Sequence, residues 1–145
     1  ILLDSSLRLP LTARLLKNPD EGQVLIFTSY KSNNEKAKRL EDKGAKVICV
    51  PDRNGYLSLT AVLKELGKRE ITSVLVEGGA SLLTSFLEQK LADKAFVVIS
   101  PLLIGGEKAP TMLEGQGVNR LSRAARLKNI RTFRLNDDLI MEGYF

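Results

Sequence analysis

The sequence predicts an α/β protein: a largely parallel sheet with helices on its faces, ending in an antiparallel hairpin. Three observations carry this. Apolar runs at 23–27, 45–50 and 73–76 alternate with helical patterns at the spacing of strand-helix-strand units. The helical patterns have their own cap or stop residues. From Arg126 the pattern changes to two extended runs around Asn136-Asp137-Asp138, which reads as a hairpin.

The chain opens on Ile1-Leu2-Leu3, apolar from the first residue, like the interior of a strand. The front of the domain is therefore expected to lie outside this sequence. After Asp4-Ser5-Ser6, a loop through Pro10 leads to a short helical piece around 12–16, stopped near Asn18-Pro19 because a residue before proline avoids the helical region. Residues 23–27 form a buried strand. Asn34 is the expected N-cap of a helix over 35–43, which Gly44 ends in a left-handed conformation. Only Ala37 and Leu40 give that helix an apolar stripe. Residues 45–50 return as a strand, closed by Pro51 and the Asp52-Arg53-Asn54-Gly55 turn, with Cys49 expected as a small buried packing residue.

Leu59, Val62, Leu63 and Leu66 recur at i, i+3, i+4 and i+7 after a Ser58 cap, a helix with one core-facing stripe that ends near Gly67. Strand 73–76 follows, then Gly78-Gly79, then a helix turning Leu82, Leu83, Phe86 and Leu87 to the core. Residues 94–100 form another strand. The stretch 109–122 has no clean periodicity and reads as a loop over the sheet. Runs 127–135 and 139–145 complete the hairpin, and the whole of 1–145 is read as one domain.

Composition excludes several function classes. The chain has 145 residues and no histidine, so Ser-His and Cys-His nucleophile pairs and histidine-ligated zinc are impossible within it. Its one cysteine also rules out a thiolate zinc cluster. Chemistry carried by a bound cofactor remains, with hydride transfer the first candidate. The net charge of +5 is spread along the chain, among five Phe, three Tyr and no Trp. That is no nucleic-acid module, but it suits a small phosphorylated ligand. No apolar run is long enough to cross a bilayer, and a lone Cys49 without a visible signal peptide suggests a reducing, cytoplasmic setting.

Three segments each follow a strand and are expected to meet at one sheet edge: Asp4-Ser5, Thr28-Ser29-Tyr30-Lys31-Ser32, and Glu77-Gly78-Gly79-Ala80-Ser81. Ligands of parallel sheets bind beyond the carboxyl ends of the strands. The last segment is a strand-to-helix turn whose backbone amides leave a helix start, a site for a phosphate or simply a glycine turn. Lys31 could pair with an extra ribose phosphate, which favours the phosphorylated nicotinamide cofactor. Glu77 ends an apolar run, where a carboxylate pays a desolvation cost unless it is used; it either binds or protonates a substrate, or caps the next helix.

Leu2-Leu3-Asp4-Ser5-Ser6-Leu7-Arg8-Leu9-Pro10, the stretch from Val74 to Leu83, and Ser100-Pro101-Leu102-Leu103-Ile104-Gly105-Gly106 with Ala109-Pro110 occur in this order. Together they resemble the reductase domain of the bifunctional riboflavin biosynthesis deaminase-reductases. That resemblance implies a dihydrofolate reductase-like three-layer α/β/α fold and NADPH-dependent reduction of 5-amino-6-(5-phosphoribosylamino)uracil. It implies a homodimer, while the composition argues against a nucleic-acid or membrane partner and against a metal site. By the likeness, Ser5 contacts cofactor, Glu77 contacts substrate, and Gly79, Ala80, Ser81, Leu82, Leu83, Thr84 and Ser85 form the cofactor turn and helix start, with Gly78 beside them. Gly105 and Gly106 match a family glycine pair. The family's earlier substrate loop and its zinc deaminase half have no counterpart in these residues. Two other readings stay open: a non-catalytic nucleotide-binding module, and a related reductase with another substrate.

Overall fold

The computed structural model describes residues 1–17 and 22–145, so the stop expected at Asn18-Pro19 lies outside the described residues. The chain divides into two compact units, Ile1–Val74 and Leu75–Phe145, and each is described by itself.

The first unit is built on a parallel sheet of β1 (Leu2–Leu3), β2 (Leu25–Ser29) and β3 (Lys46–Val50), in that order. Leu3 is level with Phe27, and Phe27 with Ile48. Every residue of β2 is buried because successive side chains point to opposite faces and both faces are covered. Ile26 packs with Leu7, Leu16, Leu40 and Ala45. Leu25 and Phe27 pack on the other face with Val50, Val62 and Leu66. Leu40 comes from α1 (Asn34–Glu41), and Val62 and Leu66 come from α2 (Leu59–Gly67), so this unit is helix, sheet, helix in section. Burial of a side chain the size of Phe27 contributes about 2 kcal/mol.

The N-cap of α1 is Asn33, not Asn34: its Oδ1 accepts the Lys36 amide at 2.9 Å, and Asn34 is already helical. Two adjacent asparagines offer the same chemistry, and only the backbone path decides which one reaches the third amide of the helix. Gly44 ends the helix as expected, with φ +89°. Its amide bonds Glu41 O at 2.8 Å, and the Ala45 amide bonds Leu40 O at 3.2 Å, a Schellman closure that seats Ala45 on Leu40. In α2, Ser58 Oγ accepts the Ala61 amide at 3.3 Å, as expected. The left-handed residue that closes this helix is Glu70 (φ +61°), however, and Gly67 is its last helical residue.

Asp52 and Arg53 form β4 and Tyr56 and Leu57 form β5, a hairpin whose turn residues Asn54 and Gly55 both have positive φ. This is the conformation that an Asn-Gly pair favours between twisted strands. Cys49 is exposed, contrary to expectation. It stands in β3, an edge strand of the described sheet, where an apolar-looking run does not guarantee cover on both faces.

Residues 73–76, where the first unit ends and the second begins, bear on the largest correction, since neither they nor the rest of 71–79 form a strand. An apolar run becomes a strand only where a neighbour offers ladder partners, and no described strand pairs with it. Helix α3 (Ala80–Glu88) follows, with Phe86 buried and Leu82, Leu83 and Leu87 half-buried; it closes at Lys90 (φ +54°). β6 (Lys94–Ile99), β7 (Lys128–Leu135) and β8 (Asp138–Tyr144) form an antiparallel sheet in the order β6-β8-β7. The expected C-terminal hairpin is therefore present, and the strand expected at 94–100 joins it rather than the parallel sheet. Ile140 is buried between its cross-strand partners Val98 and Phe133. Lys94 bonds Glu142 at 2.8 Å and lies over the Phe96 and Tyr144 rings. Among the described residues, no helix is long and apolar enough to cross a membrane.

Candidate functional site

The carboxyl edge of the parallel sheet brings together two of the three expected segments. Asp4 leaves β1 with its amide bonded to Phe27 O at 2.9 Å, and its Oδ2 accepts the Leu9 amide at 2.8 Å. This carboxylate folds the Asp4–Leu9 loop back on itself. Its Oδ1 is buried without a partner among the described residues, an acceptor left open at the end of β1. Ser5 O accepts both the Ser29 amide at 3.3 Å and the Thr28 hydroxyl at 3.2 Å, which ties the β1 loop to the end of β2.

Beyond β2, Ser29 Oγ donates to Asp52 Oδ1 and accepts the Lys31 amide at 3.1 Å. Asp52 therefore belongs to this edge, although in the sequence it read only as part of a turn. The available signal was its position: it stands just past the end of β3, with only Pro51 between, as Asp4 stands directly after β1.

The third segment begins the second unit. Glu77 is exposed, so the desolvation cost that singled it out in the sequence does not arise here. Gly78 and Gly79 differ in what they require. A Cβ on Gly78 would stand 2.7 Å from Leu82 Cδ2, which can turn away, and 3.3 Å from Leu82 Cβ, which must give by a few tenths of an ångström, so a side chain there presses on the packing of α3. Gly79 is the N-cap of α3, with φ −67° and ψ 161°, open to any residue, and a Cβ there would meet nothing within 4 Å. Neither its backbone nor its packing calls for glycine.

The amides of Leu82 and Leu83 both bond back to Gly79 O, at 3.0 and 3.2 Å. Those ahead of them, at Ala80 and Ser81, lack intrahelical acceptors, as at any helix start. A dinucleotide phosphate fits this arrangement: free amides, the positive end of the helix, and an open cradle at Gly79.

The hydroxyls of this helix are already engaged. Ser81 Oγ donates to Glu114 Oε2 at 2.6 Å, Thr84 Oγ1 bonds both Glu114 O and the Glu114 amide at 2.9 Å, and Ser85 Oγ donates to Ser81 O at 2.8 Å. Glu114 thus pins its loop to α3. Nothing local in the sequence announces a contact across thirty positions. Gly105 and Gly106 lie past β6 with φ +65° and +98°, a backbone that needs glycine. Among the described residues, no group of three or more His, Cys, Asp or Glu side chains is placed to hold a metal ion.

Comparison with known proteins places this geometry in a family. The profile of the RibD C-terminal domain matches residues 1–141. The riboflavin biosynthesis protein RibD of Actinobacillus pleuropneumoniae is 32% identical over 98% of this chain, which spans 38% of that protein. The 2,5-diamino-6-ribosylamino-4(3H)-pyrimidinone 5′-phosphate reductase of Methanothermobacter thermautotrophicus is 33% identical over 98% of the chain, which spans 63% of it. Among solved structures, Acinetobacter baumannii RibD aligns over 98% of the chain with a TM-score of 0.79 at 27% identity, and the chain covers 36% of that protein. The strand-loop beginning at β1, the glycine turn into α3 and the antiparallel C-terminal sheet up to Met141 fall inside the matched region, and the chain belongs to the RibD C-terminal domain family.

Proposed function

We propose that this chain, within the protein that carries it, binds NADPH at the start of α3 and supports reduction of the ribosyl group of 5-amino-6-(5-phosphoribosylamino)uracil to the ribityl product. The observation that carries this is Gly79, a glycine that neither backbone nor packing requires, at a helix start with free amides. When bound, the cofactor supplies the hydride. The amides of Ala80 and Ser81 hold a phosphate, and Gly79 lets the backbone approach it. Ser81, Thr84 and Ser85 keep the helix start in register, with Leu82 and Leu83 behind it. Glu77, next to the phosphate site and exposed, accepts hydrogen bonds from substrate hydroxyls. The net charge of +5 draws in both phosphorylated ligands. Positioning provides most of the rate.

A second substrate has support of its own. Relatives at 32% and 33% identity carry the name of a diaminopyrimidinone phosphate reductase, so the base bearing the extra amino group is the alternative. Following NADPH oxidation with each substrate in turn separates the two, and no oxidation with either refutes the proposal. Glu77→Gln is expected to lower kcat/KM for the pyrimidine at least about tenfold while leaving NADPH affinity unchanged. Equal loss of both contradicts the role given to Glu77.

The reading includes a homodimer in a reducing cytoplasmic setting. Phe96, Val98, Phe133 and Leu135 are exposed on one face of the antiparallel sheet, an apolar surface suited to a second copy. Val98→Glu is expected to leave a monomer by light scattering.

A further inference from the structure

The loop at 111–117 is clasped to the start of α3 by one acid, in a contact that the reaction above does not use. We propose that Glu114 is a resident anion that gates the phosphate site at this helix start: in the free protein it holds the loop against α3, and an arriving dinucleotide phosphate displaces it. This rests on the dinucleotide reading and adds a means of regulation to the same site. Every residue involved lies in the second unit.

A helix start attracts negative charge, because its first amides lack acceptors and the peptide dipoles turn their positive end there. Here the chain supplies that charge itself. Glu114 Oε2 accepts the Ser81 hydroxyl at 2.6 Å, and Ser81 is the second residue of α3. A serine hydroxyl has one proton to give, so while Glu114 holds it Ser81 has none for a phosphate. A phosphate on the Ala80 and Ser81 amides also meets a like charge one side chain away, and that repulsion is relieved when the carboxylate leaves.

Little else holds the loop. Residues 110–126 are all exposed, Met112, Leu113 and Val118 among them, so apolar burial does not anchor this stretch. Among the described residues, the hydrogen bonds that tie it to α3 run through Glu114: the carboxylate to Ser81, and the amide and carbonyl to Thr84 Oγ1, both at 2.9 Å. Gly115 follows at once with φ +95°, a turn that leaves the acid at the tip of the contact. Loss of the charged bond leaves the loop on a single threonine hydroxyl.

The test measures NADPH dissociation constants by nucleotide fluorescence for the full-length protein that carries this chain, its Glu114→Gln variant and a Glu107→Gln control. Glutamine keeps an oxygen for Ser81 and both backbone bonds to Thr84 while removing the charge. At low salt NADPH is expected to bind Glu114→Gln about fivefold more tightly, the scale of one charge at a helix start. That gain should shrink below about twofold near 0.5 M salt, where exposed charges are screened. Glu107 is exposed and has no bond to α3 among the described residues, so its variant should change affinity less than about twofold. A low-salt gain at Glu114 below about twofold, one that Glu107→Gln matches, or one that salt leaves intact overturns the inference. Hydrogen exchange on the unaltered protein needs no variant: saturating NADPH should speed exchange at 111–117, and unchanged or slower exchange there overturns the gate. If NADPH binds neither the unaltered protein nor the Glu114 variant, the dinucleotide reading itself has failed and the gate falls with it.

Discussion

Gly79→Ala separates a glycine kept for folding from one kept for a ligand. In the structure a Cβ at this position meets nothing within 4 Å, and the backbone (φ −67°, ψ 161°) suits alanine. Two terms act on stability. Alanine is a poorer N-cap than glycine, by about 0.5–1 kcal/mol. Against this, replacing glycine at a compatible conformation restricts the unfolded chain and returns about 0.4–1 kcal/mol. These cancel to within about 0.5 kcal/mol, so the urea midpoint should barely move. A phosphate drawn onto the Ala80 and Ser81 amides must pass over the same Cα. A methyl group forced into a filled site costs about 1–3 kcal/mol, which makes NADPH binding roughly 5- to 150-fold weaker. Gly78→Ala is the opposite control. Its Cβ stands 2.7 Å from Leu82 Cδ2, so its cost should fall on the folding midpoint, by about 1–3 kcal/mol. Calorimetric titration beside chemical denaturation reads both quantities. Unchanged NADPH affinity in a folded Gly79→Ala protein refutes the reasoning.

Other consequences can be checked by stability and exchange measurements. Glu70 and Lys90 close α2 and α3 in the left-handed conformation that costs a side chain energy; Glu70→Gly and Lys90→Gly should each raise stability by about 0.5–1 kcal/mol, and a loss would contradict the capping assignment. Leu40, fully buried at the Schellman closure of α1, should cost about 2–5 kcal/mol as Leu40→Ala. Hydrogen bonding to Arg69, then to Lys68, holds Glu65 below its ordinary 4.5, so its stabilisation is present above that pH and lost as pH falls through the lower folded value. The bond to Glu142 holds Lys94 above its ordinary 10.5, so its stabilisation is present below that pH and lost as pH rises through the higher folded value. Glu65→Gln should flatten the acid limb of the stability profile and Lys94→Met the alkaline limb; limbs that match the unaltered protein would deny both assignments. Glu114→Ala removes the carboxylate bonded to Ser81, and hydrogen exchange should show faster exchange at 111–117 while α1 and α2 keep their protection.

Local grammar made much of the fold legible. Cap and stop residues such as Ser58 and Gly44 act within one helical turn, so their chemistry is written next to the bonds they make. The apolar period of α2 survives because a helix buries the same stripe whatever lies opposite. Long-range pairing was not legible. Residues 73–76 have the composition of a strand without a described ladder partner, and Cys49 has that of a core residue at an exposed edge. Whether β6 joins the parallel sheet or the hairpin is likewise a matter of which neighbour presents free backbone groups.

The same division runs through the candidate site. By itself the sequence determined the family likeness, the chemistry open to a chain without histidine, and the strand-end positions of Ser5 and Ser29, because these depend on residue type and order. Only the tertiary structure decided that Gly78 serves packing while Gly79 does not, that the Ser29 hydroxyl is spent on Asp52, and that Glu114 reaches back to Ser81 and Thr84. Each of those depends on which atoms distant in sequence come within hydrogen-bond or van der Waals reach, and that follows from the packing of whole elements, which no local pattern encodes.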